Sequence, residues 1–125
     1  MATSKKAIAE KYHLTPEEIS TIEALALRPT CEHCQTVLPP DSPDARICSF
    51  ECTFCVTCVQ GLLGNVCPNC GGGFAVRPIR PKNNWRRENF LTAYPATETR
   101  THRRVDALLH RAFASEIAAL EPELR

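Results

Sequence analysis

The feature that most constrains this chain is the spacing of its cysteines. All eight fall within residues 31–70, as Cys31-x2-Cys34-x13-Cys48-x3-Cys52-x2-Cys55-x2-Cys58-x8-Cys67-x2-Cys70. The backbone of a C-x2-C hook forms a tight knuckle, so both sulfurs can point at one metal ion. Eight thiolates make two complete tetrahedral sets, as closed structural zinc sites require. Four Zn–S bonds of about 2.3 Å leave no open position, so no catalytic water is expected. Two other chemistries use crowded thiols: a disulfide framework and an iron–sulfur cluster.

A disulfide framework needs an oxidising compartment. The opening Met1-Ala-Thr-Ser-Lys-Lys leads into a mixed polar stretch with no apolar run of signal-peptide type, and no window could span a membrane. A cytoplasmic address is expected, where disulfides are rare. For iron, Cys52-x2-Cys55-x2-Cys58 copies the first three ligands of a bacterial ferredoxin run. That run needs its fourth Cys, followed by Pro, after three more residues, where this chain has Leu62; Cys67-Pro68 comes later. The outer hooks would then have no role. No βαβ pattern surrounds a hook, so a thioredoxin-like role is not expected. No cysteine is set apart as a nucleophile and the four histidines are scattered. The expectation is a protein with no enzymatic activity and no small-molecule substrate, holding two Zn2+.

The eight ligands can divide in two ways. In a cross-brace, Cys31, Cys34, Cys55 and Cys58 hold one zinc, and Cys48, Cys52, Cys67 and Cys70 hold the other. In a sequential arrangement the first four take one ion and the last four the other. Spacing permits both. The cross-brace is favoured because it interlocks two loops around one small core, which suits a segment poor in large apolar residues. Each structural zinc supplies about 10–16 kcal/mol of apparent binding energy at neutral pH, so metal would decide whether the module folds. His33, inside the first hook, is expected to be exposed, since eight cysteines already fill two sites. His13, His102 and His110 have no partner at ligand spacing.

Four segments are legible. Residues 1–27 read as a helical hairpin. Leu-Thr-Pro-Glu-Glu-Ile at 14–19 offers Thr15 as cap, Pro16 at the first helical position and Glu18 to complete a capping box. The second helix is expected to reach about Leu27 before Pro29 stops it. The pair weakly resembles a helix-turn-helix, but its second helix shows Glu17, Glu18 and Glu23 and no basic residue, so phosphates would repel it. Residues 28–81 form the cysteine module. All five glycines and seven of the ten prolines fall there, which predicts turns and short strands, with one or two helical turns over 56–63. Residues 82–100 read as a basic linker. Residues 101–121 read as an amphipathic helix, with Val105, Leu108, Leu109, Ala112, Phe113, Ile117 and Leu120 at helical spacing. That stripe predicts burial against the same chain, a second copy or a partner.

Several of these stretches are familiar. Cys52-Thr-Phe54-Cys55, Cys58-Val59 and Cys67-Pro68-Asn69-Cys70 resemble the second half of a RING finger, and the full spacing resembles an all-cysteine RING variant. The resemblance implies a small zinc-stabilised α+β fold: a cross-braced, treble-clef-type module of short strands and a short helix, here flanked by N-terminal helices and a C-terminal helix. It also implies docking of a ubiquitin-conjugating enzyme. Three positions of the RING docking face differ in this chain. Glu32-His33 stands where an aliphatic residue is usual, Leu62, Leu63 and Val66 where a tryptophan is usual, and Gly71 where a basic residue is usual. More closely, Arg28-Pro-Thr-Cys-Glu-His-Cys34, Ala45-Arg-Ile-Cys-Ser-Phe-Glu-Cys-Thr-Phe-Cys55 and Val66-Cys-Pro-Asn-Cys-Gly-Gly72, followed by Arg77-Pro-Ile-Arg-Pro81, resemble an uncharacterised family of short bacterial cysteine-rich proteins, a domain of unknown function. That resemblance covers about residues 27–81 and implies a bacterial zinc module.

The leading functional expectation is a two-zinc, non-enzymatic adaptor that binds a protein partner, or a second copy, through its flanking helices. The alternative is a nucleic-acid-binding protein that uses the basic stretch 77–104, with Arg77, Arg80, Lys82, Arg86 and Arg87 on phosphates and Trp85 and Phe90 stacking on bases. The third is RING-type ligase-like docking.

Overall fold

The computed structural model of the chain describes Lys11 and residues 24–125. Most of the expected N-terminal hairpin, with its capping box and its weak helix-turn-helix resemblance, lies outside the described residues. Residues 24–28 carry no helix, and Leu27 is buried with a left-handed backbone. The helix expected to reach about Leu27 does not include residues 24–27.

Three short strands form one antiparallel sheet in the order β2-β1-β3: β1 is Ala45–Ile47, β2 Thr53–Cys55 and β3 Ala75–Val76. Arg46 pairs with Phe54 on one side and with Val76 on the other. β2 is buried along its whole length, so it reads Thr-Phe-Cys without polar alternation. Directly after it comes helix α1, Val56–Cys58, which runs on as a π-helical turn, Val59–Leu63. Gly64, left-handed at φ 58°, closes that turn as only an unbranched backbone does cheaply.

The core contains few large residues. Leu38, Phe54, Val59 and Leu63 are buried together with Ala45 and five of the cysteines, and Phe74 packs its ring edge-on to Phe54 with centroids 5.6 Å apart. Among the described residues that is little apolar material, and cysteines make up half of the buried cluster.

The C-terminal helix α2 is Ala107–Ile117, shorter than the span of 101–121 expected from periodicity. Its start is set by Asp106, whose carboxylate accepts the Leu109 N–H. Residues 101–106 are not helical because they hydrogen-bond elsewhere: the Arg103 N–H to the Glu32 carbonyl and the Val105 N–H to the His33 ring. The buried face of α2 is also not the expected stripe. His110 and Ala114 are buried, whereas Leu108 and Leu109 are 74% and 73% exposed. After α2 the chain turns into a 3-10 turn, Pro122–Leu124, and the Arg125 guanidinium donates to the carbonyls of Asn65 and Gly71.

The 82–100 segment has no regular structure, yet it is tied down. Ala93 is buried, the Leu91 N–H bonds the Pro81 carbonyl, and the Thr97 N–H bonds the Ala26 carbonyl. It is not the fully solvated linker that its charge implies.

Candidate metal centre

The first and last hooks have the same backbone. In the first, the Gln35 N–H donates to the Cys31 carbonyl and the Cys31 N–H to the Thr36 carbonyl, at 2.9 Å each. In the last, the Gly71 N–H donates to the Cys67 carbonyl and the Cys67 N–H to the Gly72 carbonyl, at 2.8 Å each. The residue after the second cysteine is left-handed in both, Gln35 at φ 64° and Gly71 at φ 78°. Such knuckles aim backbone N–H groups at sulfur. Asn69 N lies 3.4 Å from Cys67 Sγ, Gly72 N lies 3.3 Å from Cys70 Sγ, and in the middle loop Phe50 N lies 3.3 Å from Cys48 Sγ. Donation to sulfur favours the thiolate.

These local shapes bring the thiols together in two interleaved sets. Cys31, Cys34, Cys55 and Cys58 place their sulfurs within 4.8 Å of one another. Cys48, Cys67 and Cys70 do the same. Cys52 stands at the edge of the second set: its thiol interacts with those of Cys48 and Cys67, but it lies outside the mutual distance that joins the other three. All eight cysteines are free thiols. Cys34 Sγ and Cys55 Sγ are 3.8 Å apart, far longer than a disulfide bond of about 2.0 Å. That separation matches a tetrahedron: four sulfurs about 2.3 Å from one centre lie about 3.8 Å from each other. The ferredoxin-like trio is not brought together, since Cys55 and Cys58 belong to one set and Cys52 borders the other.

The thiol chemistry within each set is uneven. Burial raises the Cys34 thiol, but hydrogen bonds from the Thr36 side chain and backbone, then from Cys31 and Cys55, outweigh it and bring the pKa down to about 6. Cys58 is pushed up, by burial first and then by its hydrogen bond with Cys55 and the charge of Cys31. In the second set Cys48 is lowered despite burial, through backbone hydrogen bonds from Phe50 and Cys52. Cys52 is pushed up to about 11 by burial, by its hydrogen bond with Cys48 and by the Cys48 charge. Burial also raises Cys67. Each group thus pairs a lowered thiol, Cys34 or Cys48, with raised ones, Cys55 and Cys58 in the first and Cys52 and Cys67 in the second. Both groups could hold a metal ion.

Four residues that support the site carry no spacing signal. Glu32 is buried; its carboxylate accepts from the Arg28 guanidinium and the Thr53 N–H, tying the first hook to β2. Arg77, only 2% exposed, donates to the carbonyls of Arg28, Leu38 and Pro39 and so brackets both ends of the first hook. Burial first, and the nearby Arg80 charge second, lower its pKa. His33 is half-buried rather than exposed. Its Nδ1 accepts the Val105 N–H at 2.9 Å, and burial, Arg104 and His102 lower its pKa in keeping with a neutral, accepting ring. His110 is buried and donates from Nε2 to the Leu63 carbonyl at 2.9 Å. None of the three described histidines joins a thiol set.

The basic stretch divides. Arg77 is buried and cannot meet a phosphate. The Arg80 guanidinium donates to the carbonyls of Tyr94 and Leu25, which commits it to the fold. Lys82, Arg86 and Arg87 are exposed, as is Trp85. Among the described residues no helix is long and apolar enough to cross a membrane.

Residues 24–80 match the model of a family described as protein of unknown function (DUF1272). Over 76 residues the chain is 53% identical to the uncharacterized protein R02474 of Rhizobium meliloti (strain 1021), covering 61% of this chain and 83% of that protein. No solved structure matches it. The matched span contains all eight cysteines, both knuckles and the buried Glu32 and Arg77, and this chain belongs to the DUF1272 family.

Proposed function

We propose that this protein is a non-enzymatic, two-zinc structural module that serves as an adaptor between proteins. The observation that carries the reading is the interleaving of the thiol sets, with Cys34 and Cys55 of the first at tetrahedral spacing, in a module whose described apolar core is small. Cys31, Cys34, Cys55 and Cys58 would hold one Zn2+; Cys48, Cys67 and Cys70, with Cys52 completing the set, would hold the other. Zinc supplies cross-links that fold the module, and four thiolates would leave no open position for chemistry. Interleaved sets, a short antiparallel sheet and a helix that starts at Val56, directly after Cys55, support a RING-like, treble-clef arrangement. Eight free thiols suit a reducing cytoplasm.

The adaptor role draws support from the surface. Leu108, Leu109, Trp85 and Phe50 are large, apolar and well exposed. The ligase-like alternative meets an obstacle in the fold. All three regions that correspond to the RING docking face are covered by the chain's own C-terminal segment: Glu32 and His33 by residues 103–105, Leu63 by His110, and Gly71 by Phe113, Ile117 and Arg125. Nucleic-acid binding remains a second reading on one observation, the exposure of Trp85 beside Lys82, Arg86 and Arg87.

The test is metal content and a visible spectrum on the full chain purified without oxygen, followed by capture of partners with and without metal. Two zincs in a colourless sample, with partner capture lost on chelation, is the expected result. Iron with a coloured sample, or no metal, overturns the zinc reading. Salt-dependent binding of single-stranded oligonucleotides that is lost with Arg86→Ala/Arg87→Ala would favour the second reading.

A further inference from the structure

We propose that a cleft between the cysteine module and α2 is a docking site for a short segment of a partner protein that carries an apolar side chain beside acidic ones. The inference rests on the adaptor reading and gives it a surface. The cleft has a volume of about 450 Å³, within the range of about 300–1,000 Å³ usual for ligand sites. Phe54 and Pro68 from the module and Val105, Leu109 and Phe113 from the C-terminal segment make it mainly apolar. Phe54 is buried and Leu109 is largely exposed, so the apolar surface runs from depth to rim.

The charged groups around the cleft decide what can enter. Glu32 is already committed to Arg28 and the Thr53 N–H. Asp106 caps α2, where the helix terminus offsets its charge. His110 points its Nε2 at the Leu63 carbonyl. Cys52 also lines the cleft, but it is buried, and as a ligand its negative charge would be taken up by the second ion. Of the exposed groups Arg103 and Arg104 remain, and among the described residues neither guanidinium makes a hydrogen bond or an ion pair. Two uncommitted cations beside an apolar hollow complement an anion attached to an apolar body. A second hollow of about 470 Å³ shares Arg104, Val105 and Asp106 with the first. A ligand longer than the cleft therefore has a continuation past Arg104, which suits an extended peptide better than a compact small molecule.

The test selects peptides from a random 12-residue display library on the zinc-loaded full chain and measures them by fluorescence anisotropy. Enriched peptides are expected to place an apolar residue within a few positions of Asp or Glu. Leu109→Asp should weaken binding by about tenfold or more. Arg103→Ala/Arg104→Ala should weaken it by about tenfold at low salt and flatten its salt dependence. Val37→Ser, at an exposed apolar position away from the cleft, should change nothing. All of these side chains are exposed, so folding is expected to persist, and zinc content checks it. A chain that holds two zincs but selects no peptide, or selects basic ones, overturns the cleft alone. Binding that ignores Leu109→Asp but responds to Val37→Ser overturns the cleft and leaves the adaptor reading standing. Displacement of the peptide by a single-stranded oligonucleotide identifies a nucleic-acid face and overturns the proposal. A chain without zinc overturns the reading beneath it.

Discussion

The His110 imidazole donates to the Leu63 carbonyl across 47 residues of sequence and fastens α2 to the end of the π-helical turn. The bond is buried, and it fixes the ring with its proton on Nε2, because a carbonyl only accepts. His110→Ala should remove the donor, leave a small void and cost about 2 kcal/mol. Urea unfolding of the metal-loaded chain measures the cost. Metal content should stay at two per chain, which separates loss of helix docking from loss of the site.

Arg77 binds three carbonyls with one guanidinium, and a single ammonium cannot copy that fork. Arg77→Lys should destabilise the module by about 2 kcal/mol, and Arg77→Ala by more. Oligonucleotide affinity, if any is found, should not depend on this residue beyond its effect on folding. Binding that fell with Arg77→Lys at unchanged stability would contradict its burial.

The two thiol sets should respond differently to single substitutions. Cys55→Ser and Cys67→Ser each remove a central ligand, and each should lose one metal ion and most of the folded signal in far-ultraviolet circular dichroism. Cys52 borders its set, so Cys52→Ser should retain the second ion at lower affinity. Native mass spectrometry under increasing chelator should show that ion leaving first. Equal loss from Cys52→Ser and Cys67→Ser would place Cys52 fully inside the set.

Gly71 has a left-handed backbone, and a Cβ there would stand 3.6 Å from Ile117 Cδ1 and 3.8 Å from Phe113 Cζ. Space exists, so the cost of Gly71→Ala is conformational, about 1–2 kcal/mol. A bulkier Gly71→Val should also push α2 away, seen as faster hydrogen exchange in Ala107–Ile117.

The sequence carries the hooks, because a two-residue spacer dictates a local shape whatever surrounds it. It also carries a helix in the C-terminal segment and the shortness of the strands. The register of α2 was not legible. Periodicity counts apolar side chains and treats histidine as a surface residue, whereas His110 buries by meeting a carbonyl. The start of α2 at Asp106 has a cap signal, but the apolar Val105 upstream extends the apparent stripe. The roles of His33 and Arg77, and the bond of Glu32 to Thr53, depend on partners 21 to 72 residues away, and a single residue has no period to betray it.

The interleaving of the thiol sets has a consequence for how the chain is made. A nascent chain gains both hooks of the first set only when Cys58 has emerged, and completes the second only at Cys70. At about 5–20 residues per second the two events are separated by about a second. Until Cys67 emerges, Cys48 and Cys52 wait on the loop between the hooks of the first set, with no third thiol to join them. Metal capture should therefore follow the order of synthesis, and the C-terminal segment arrives last, onto hooks that have already closed.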